Sequence, residues 1–143
     1  MHKDCDLCRD IGGILLWENA SFRIVRVDEP DYPGYCRVIW NAHVREMSDL
    51  PQTDQTLLLQ VLMAVEGVIR AVCAPDKINL ASLGNMTPHL HWHIIPRWQD
   101  DRHFPQPIWG IAQRDHAGPR RAVSDALLNS ALSAALLPFE RTT

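Results

Sequence analysis

His89-Leu90-His91-Trp92-His93-Ile94-Ile95-Pro96 sets three imidazoles at alternate positions with one apolar residue between each pair. In an extended strand, side chains at i, i+2 and i+4 project to the same side, about 7 Å from one to the next. The run therefore reads as a strand over His89 to Arg97. His89, His91 and His93 line one face, and Leu90, Trp92 and Ile94 pack on the other. On a helix the same residues would scatter around the cylinder. A row of imidazoles suits few tasks: binding a metal, shuttling protons, or presenting a nucleophilic nitrogen to phosphorus or carbon. For a lone histidine the ordinary reading is a packed or solvent-facing ring, and His2 and His116 are read so, with His103 left open. Three rings side by side fill a core badly.

Working outward, Lys77 to Ser82 reads as a strand joined to the histidine run through a Gly84-Asn85 turn. Phe22 to Asp28 and Tyr35 to Trp40 read as two further strands, paired antiparallel across Glu29-Pro30-Asp31-Tyr32-Pro33-Gly34. Pro51 suits the first turn of a long helix expected over Thr53 to Cys73, which Ala74-Pro75 stops. That helix is apolar on most sides, which favours burial or a subunit interface, and Glu66 and Arg70 stand four apart on one face. Beyond Arg97 a Pro-, Gly- and aromatic-rich tract, centred on His103-Phe104-Pro105-Gln106-Pro107-Ile108-Trp109, reads as irregular but packed. A Leu/Ala-rich helix is expected over Val123 to Leu137. Strands paired by turns with helices set apart make an α+β fold, with a mainly antiparallel β-sheet, one long central helix and a C-terminal helix.

At 143 residues the chain is expected to be a single domain, able to bury roughly 68–70% of its unfolded surface. Hydrophobic content of 46% and charged content of 22% fit a globular protein. A net charge of −3 exerts no general pull on nucleic acid or anionic membrane, so a phosphate would be held by local donors. Gln60, Glu66 and Arg70 interrupt the stretch from Leu57 to Ala74 and argue against a membrane span. Met1-His2-Lys3-Asp4-Cys5 lacks the apolar core of a secretory signal, so the expected location is cytoplasmic. In that reducing compartment paired cysteines favour ligation over disulfides.

His89-Leu90-His91-Trp92-His93-Ile94-Ile95 resembles the signature of the histidine triad (HIT) family. The resemblance extends to Asp28 before the Pro/Gly turn, Pro33-Gly34, Val38-Ile39 shortly before His43, and Gly84 and Pro88 ahead of the triad. It covers roughly residues 5–98, leaving 99–143 as a C-terminal extension. It implies nucleotidyl hydrolase or transferase chemistry at an α-phosphate, on a diadenosine polyphosphate or a nucleoside phosphoramidate, and a homodimer. His91 takes the position of the nucleophile that forms a nucleotidyl-histidine, and His93 that of a donor to the leaving group. His89 and His43 complete a histidine cluster. Asp28 matches the ribose-binding position, though a plain turn aspartate is an equal reading. Gly84 and Asn85 fall where backbone amides and a Gln side chain meet the phosphate. The chain departs from the family in its short loop and in Met86, which replaces a hydroxyl residue, so that a donor to the leaving group is either missing or supplied by Thr87; the tract from His103 to Trp109 lies outside the resemblance and either shapes a leaving-group pocket or simply packs.

Cys5-Asp6-Leu7-Cys8 is a single Cys-x-x-Cys, and the strand–helix context of a redox pair is missing. Similarity to bacterial HIT proteins with this N-terminal pair implies structural zinc on Cys5, Cys8, His43 and His89, a closed Cys₂His₂ set. Cys36 and Cys73 read as buried apolar side chains. Two alternatives stand beside a hydrolase without catalytic metal: a nucleotide-binding sensor with little turnover, and a zinc-dependent hydrolase using the histidines as catalytic ligands.

Overall fold

A computed structural model describes residues 2–140. Five strands form one antiparallel sheet in the order β1-β2-β3-β5-β4: β1 Ile14–Glu18, β2 Phe22–Arg26, β3 Cys36–Trp40, β4 Lys77–Ala81 and β5 His91–Arg97. The α+β expectation holds, and β2, β3 and β4 fall within the stretches read as strands. β1 is an addition. Ile14-Leu15-Leu16-Trp17 is a run of apolar residues with no alternation, and it pairs with β2 through a register shift between Leu15 and Trp17. Asn19 closes this hairpin, its side-chain oxygen accepting from the amides of Ser21 and Phe22 at 2.9 Å each.

α1 (Asp6–Arg9) is a single turn, and α2 (Gln52–Cys73) is the long helix. Pro51 sits at the cap of α2 rather than within its first turn. The helix ends where Ala74 turns left-handed (φ 46°) and its amide bonds the Arg70 carbonyl. Leu58, Val61, Leu62, Val65, Val68 and Ile69 make its buried stripe, each worth about 1.5–3 kcal/mol on removal from water. Leu59 and Met63 remain about half exposed on another face. Glu66 and Arg70 form no ion pair. α3 (Asp125–Ala135) is capped by Ser124, whose hydroxyl accepts from the Leu127 amide, and is two residues shorter than expected at each end.

The two long helices cover one face of the sheet. Phe22, Ile24, Cys36, Val38, Trp40 and Ile94 point into that core. Val25 and Ile39 point to the opposite face, where Cys5 and Leu7 of the N-terminal turn cover them. His91 pairs with Ile39 and His93 with Arg37 across β3–β5, so both histidines lie on this second face.

The tract after β5 is irregular, and a buried charge holds it. Arg97 and Asp101 are 2% and 0% exposed, joined by Nε to Oδ2 at 2.8 Å. Arg97 also donates to the Gln106 carbonyl, while Asp101 accepts from the amides of Trp98, His103 and Phe104. Burial alone would push the Asp101 carboxyl up; the Arg97 guanidinium and the three amides outweigh it and bring it to about 2. The folded value lies below the unfolded one near 3.9, so this stabilisation is present above about pH 4 and is lost as pH falls toward 2. Asp101→Asn leaves Arg97 buried without its countercharge and is expected to cost about 3–5 kcal/mol at pH 7 by urea denaturation. It should also flatten the acid limb below pH 4. A variant as stable as the parent at pH 7 contradicts the role given to this pair.

Candidate active site

β5 lies between β3 and β4, an interior position of the sheet, and carries His91 and His93 as neighbours with ring centroids 5.0 Å apart. His89 departs from the expected strand, which begins two residues later at His91. The chain around it is still tied down: the Leu90 amide bonds the Val44 carbonyl at 2.7 Å, and the Trp40 amide bonds the Leu90 carbonyl at 3.1 Å. The three imidazoles therefore divide. His91 and His93 form one pair. His89 stands edge-on to His43, 5.1 Å away, and faces the N-terminal cysteines. No imidazole–imidazole hydrogen bond joins them among the described residues, so the expected hydrogen-bonded cluster of four is replaced by contacts to sulfur, carbonyl and hydroxyl.

His91 is 8% exposed, and its Nδ1 lies 2.5 Å from the His89 carbonyl oxygen. A carbonyl only accepts, so Nδ1 carries the proton and Nε2 of the neutral ring keeps its lone pair. Burial lowers the His91 pKa and the nearby Arg37 adds to this, against the bond to the His89 carbonyl. His93 is 6% exposed and its Nδ1 meets the Tyr35 hydroxyl at 2.6 Å. Burial first, then the charges of His91 and Arg37, push it down to about 3. In this pocket the ring is neutral near pH 7, and an anion beside it is what would restore its basicity.

Two neighbours of His93 were not among the site residues named from the sequence. Arg37 is the charged residue of an otherwise apolar strand, which was its available signal, and it lies on the histidine face. Trp109 packs its edge against His93, centroids 4.9 Å apart, and is half exposed. The tract from His103 to Trp109 thus reaches the site, anchored by Arg97 and Asp101. His103, left open above, bonds the Tyr32 hydroxyl through Nδ1 at 2.6 Å.

Other expected residues lie further out. Asp28 is exposed at the end of β2, 3.6 Å from Arg26, and contacts none of the histidines. Asn85 and Met86 are exposed, Met86 almost fully, and Asn85 makes no hydrogen bond to a histidine. Gly84 takes φ +73°, a turn geometry that glycine adopts without strain. With Ser82, Arg45, Met47, His89 and His91 it lines a cleft of about 230 Å³. Ser82 anchors the strand there by donating to the His91 carbonyl at 2.8 Å.

Cys5, Cys8, His43 and His89 converge with all four donor atoms within 4.8 Å of one another, a set able to hold a metal ion. Cys5 Sγ lies 3.4 Å from His89 Nδ1, and Cys8 Sγ lies 3.4 Å from His43 Nδ1 and 3.6 Å from His89 Nδ1. The other nitrogen of His89 donates to the Trp40 carbonyl at 2.6 Å, which leaves Nδ1 unprotonated toward the sulfurs. Arg23, a third residue the sequence reading passed over, seats this N-terminal turn. It donates to the carbonyls of Leu7, Asp10 and Ile11 and to the Asn41 side chain.

The family model described as HIT domain matches residues 9–100, more than half of the chain. The chain belongs to the HIT domain family. A crystal structure of a histidine triad protein from Marinobacter aquaeolei VT8 superposes at a TM-score of 0.69, with 26% identity over 98% of this chain and 96% of that one. Among curated relatives, AP-4-A phosphorylase of Mycobacterium tuberculosis is 30% identical over 87 residues, 57% of this chain and 45% of the relative. Bis(5'-nucleosyl)-tetraphosphatase [asymmetrical] of Schizosaccharomyces pombe is 32% identical over 78 residues, 51% of this chain and 43% of the relative. The chain thus spans a little under half the length of these curated relatives. The HIT match begins after Cys5 and Cys8 and ends at Asp100, so the cysteine pair and the tract carrying Trp109 lie outside it.

Proposed function

We propose that this HIT protein is a nucleotidyl hydrolase or transferase that acts at the α-phosphate of a nucleotide through a covalent intermediate on His91. The observation that carries this reading is the bond from His91 Nδ1 to the His89 carbonyl, which leaves Nε2 as the free, unprotonated nitrogen. Nε2 attacks phosphorus, a nitrogen–phosphorus bond forms, and the bond from phosphorus to the leaving oxygen or nitrogen breaks. The leaving group takes a proton from His93, whose ring the incoming phosphate anion makes basic enough to hold one. Water then attacks the same phosphorus while His93 takes its proton, and the nitrogen–phosphorus bond breaks with its electron pair returned to Nε2, releasing a nucleoside monophosphate. Asp28 is assigned to the ribose hydroxyls, and Gly84 with Asn85 to the phosphate oxygens. The substrate class is a diadenosine polyphosphate or a nucleoside phosphoramidate. The curated relatives, named for acting on dinucleoside tetraphosphates, support the nucleotide side of this reading.

His91→Asn keeps a polar side chain of similar reach and removes the nucleophile. It is expected to abolish turnover of diadenosine tetraphosphate and of adenosine 5'-phosphoramidate, and to abolish the nucleotidyl adduct that intact-mass spectrometry detects on the parent. Hydrolysis by the variant at the parent's rate contradicts the reading.

We assign structural zinc to Cys5, Cys8, His43 and His89. A tetrahedral ion with Zn–S near 2.3 Å and Zn–N near 2.0–2.1 Å sets sulfur and nitrogen about 3.6 Å apart. The three sulfur–nitrogen distances of 3.4, 3.4 and 3.6 Å suit that spacing. Four protein donors leave such an ion no open position, so it would brace the start of β5 and supply no reacting group. Purified protein is expected to carry about one zinc per chain by elemental analysis. Cys8→Ser should lower that content and the thermal midpoint together, while remaining folded protein still forms the His91 adduct. Loss of the adduct in folded, zinc-free protein would contradict a purely structural role. The cysteines in this assignment must stay reduced, which suits a cytoplasmic location. A homodimer is proposed through Leu59 and Met63, half-exposed one turn apart on α2, with Gly67 open beyond them.

A further inference from the structure

We infer that Arg37 is a substrate-binding residue of this site, its guanidinium taking a non-bridging oxygen of the substrate's phosphate. The inference rests on the α-phosphate reading above and adds to it a group that the family resemblance did not supply.

Arg37 lies in the middle of β3, on the same face as the reactive histidines, and pairs directly with His93 across the strands. Two other arginines of the sheet are paired with carboxylates, Arg26 with Asp125 and Arg97 with Asp101. Arg23, on the same face of β2, is buried and donates to four oxygens. Among the described residues Arg37 forms no ion pair with a carboxylate. Its cross-strand neighbours are Val25 and His93, its one hydrogen bond runs from Nη1 to the Gly12 carbonyl at 3.0 Å, and its Nε is buried without a partner. A buried donor left unpaired costs free energy comparable to a lost hydrogen bond, and more on a charged group.

The rings beside it add no countercharge, since His93 Nδ1 is taken by the Tyr35 hydroxyl and His91 Nδ1 by the His89 carbonyl. An anion between these groups supplies the missing acceptor and a countercharge for the guanidinium. The guanidinium fork, with donors in one plane, is shaped for two oxygens of a phosphate, which an ammonium is not. Tyr35, whose hydroxyl bonds His93 and over whose ring Arg37 sits at 6.0 Å, fills the space between the two.

The test is calorimetric titration of the parent, Arg37→Gln and Arg37→Lys with AMP and, separately, with adenosine, which lacks the phosphate. Arg37→Gln is expected to weaken AMP binding by about tenfold or more, the scale of one hydrogen bond to a charged group, and adenosine binding by less than about twofold. Lysine should restore part of the AMP affinity. Equal weakening of both ligands would mean that Arg37 acts only by holding the Gly12 loop, and unchanged AMP binding would mean that it does not touch the phosphate; either overturns the inference. Nitrogen NMR of the parent covers the case in which the glutamine variant fails to fold. The Arg37 guanidinium resonances are expected to shift on addition of AMP and not of adenosine, and their failure to do so overturns the inference too. A parent that binds neither ligand overturns the nucleotide reading as a whole, whereas a parent that binds AMP no better than Arg37→Gln does removes Arg37 alone.

Discussion

The bond from the Nδ1 proton of His91 to the carbonyl oxygen of His89 decides which nitrogen of that ring is free, and the rest of the structure is arranged so that this carbonyl cannot swing away. Its residue is held at both ends. The Leu90 amide is tied to Val44 and its carbonyl to Trp40, while the His89 ring is fixed between the Trp40 carbonyl and the sulfurs of Cys5 and Cys8. A free imidazole populates both tautomers, and one tautomer alone leaves Nε2 able to attack. Here the choice is made by backbone, in an interior strand of a packed sheet, where reorganisation is costly.

Two parts outside the HIT match converge on the same strand from opposite ends, each organised by a buried arginine. Arg23 collects the carbonyls of Leu7, Asp10 and Ile11 and so seats the cysteine turn against Val25 and Ile39. Arg97, on β5 itself, collects Asp101 and the Gln106 carbonyl and so carries Trp109 to the edge of His93. Arg37, between them on the neighbouring strand, has no such company. Two imidazoles beside a cation that pairs with no carboxylate among the described residues are the setting for the phosphate contact proposed for Arg37.

Much of this was legible in the sequence because β periodicity is strict. Imperfect alternation placed β2, strand-forming runs bounded by turn residues placed β3 and β4, the histidine spacing placed β5, and proline and apolar density placed α2. β1 was not legible because Ile14-Leu15-Leu16-Trp17 has no polar face; its alternation is broken by the register shift against β2. His89 was read into the strand because spacing alone cannot tell the last strand residue from the bend before it. The Cys5, Cys8, His43 and His89 set came from family resemblance, and local sequence did not contain it, since its members are brought together from three separate segments. Arg37 was missed, and the choice between a leaving-group pocket and plain packing for the tract ending at Trp109 stayed open, for a related reason: which strand or loop ends beside His93 is a tertiary fact. Asp28 and Asn85 were named by position in a family pattern, and both are exposed in the ligand-free chain.

The most direct measurement is nitrogen-15 NMR of the His91 imidazole at neutral pH in the ligand-free protein. The account predicts a neutral ring with its proton on Nδ1 and an unprotonated, lone-pair-bearing Nε2. A His91 ring protonated on Nε2, or charged on both nitrogens at pH 7, would contradict it.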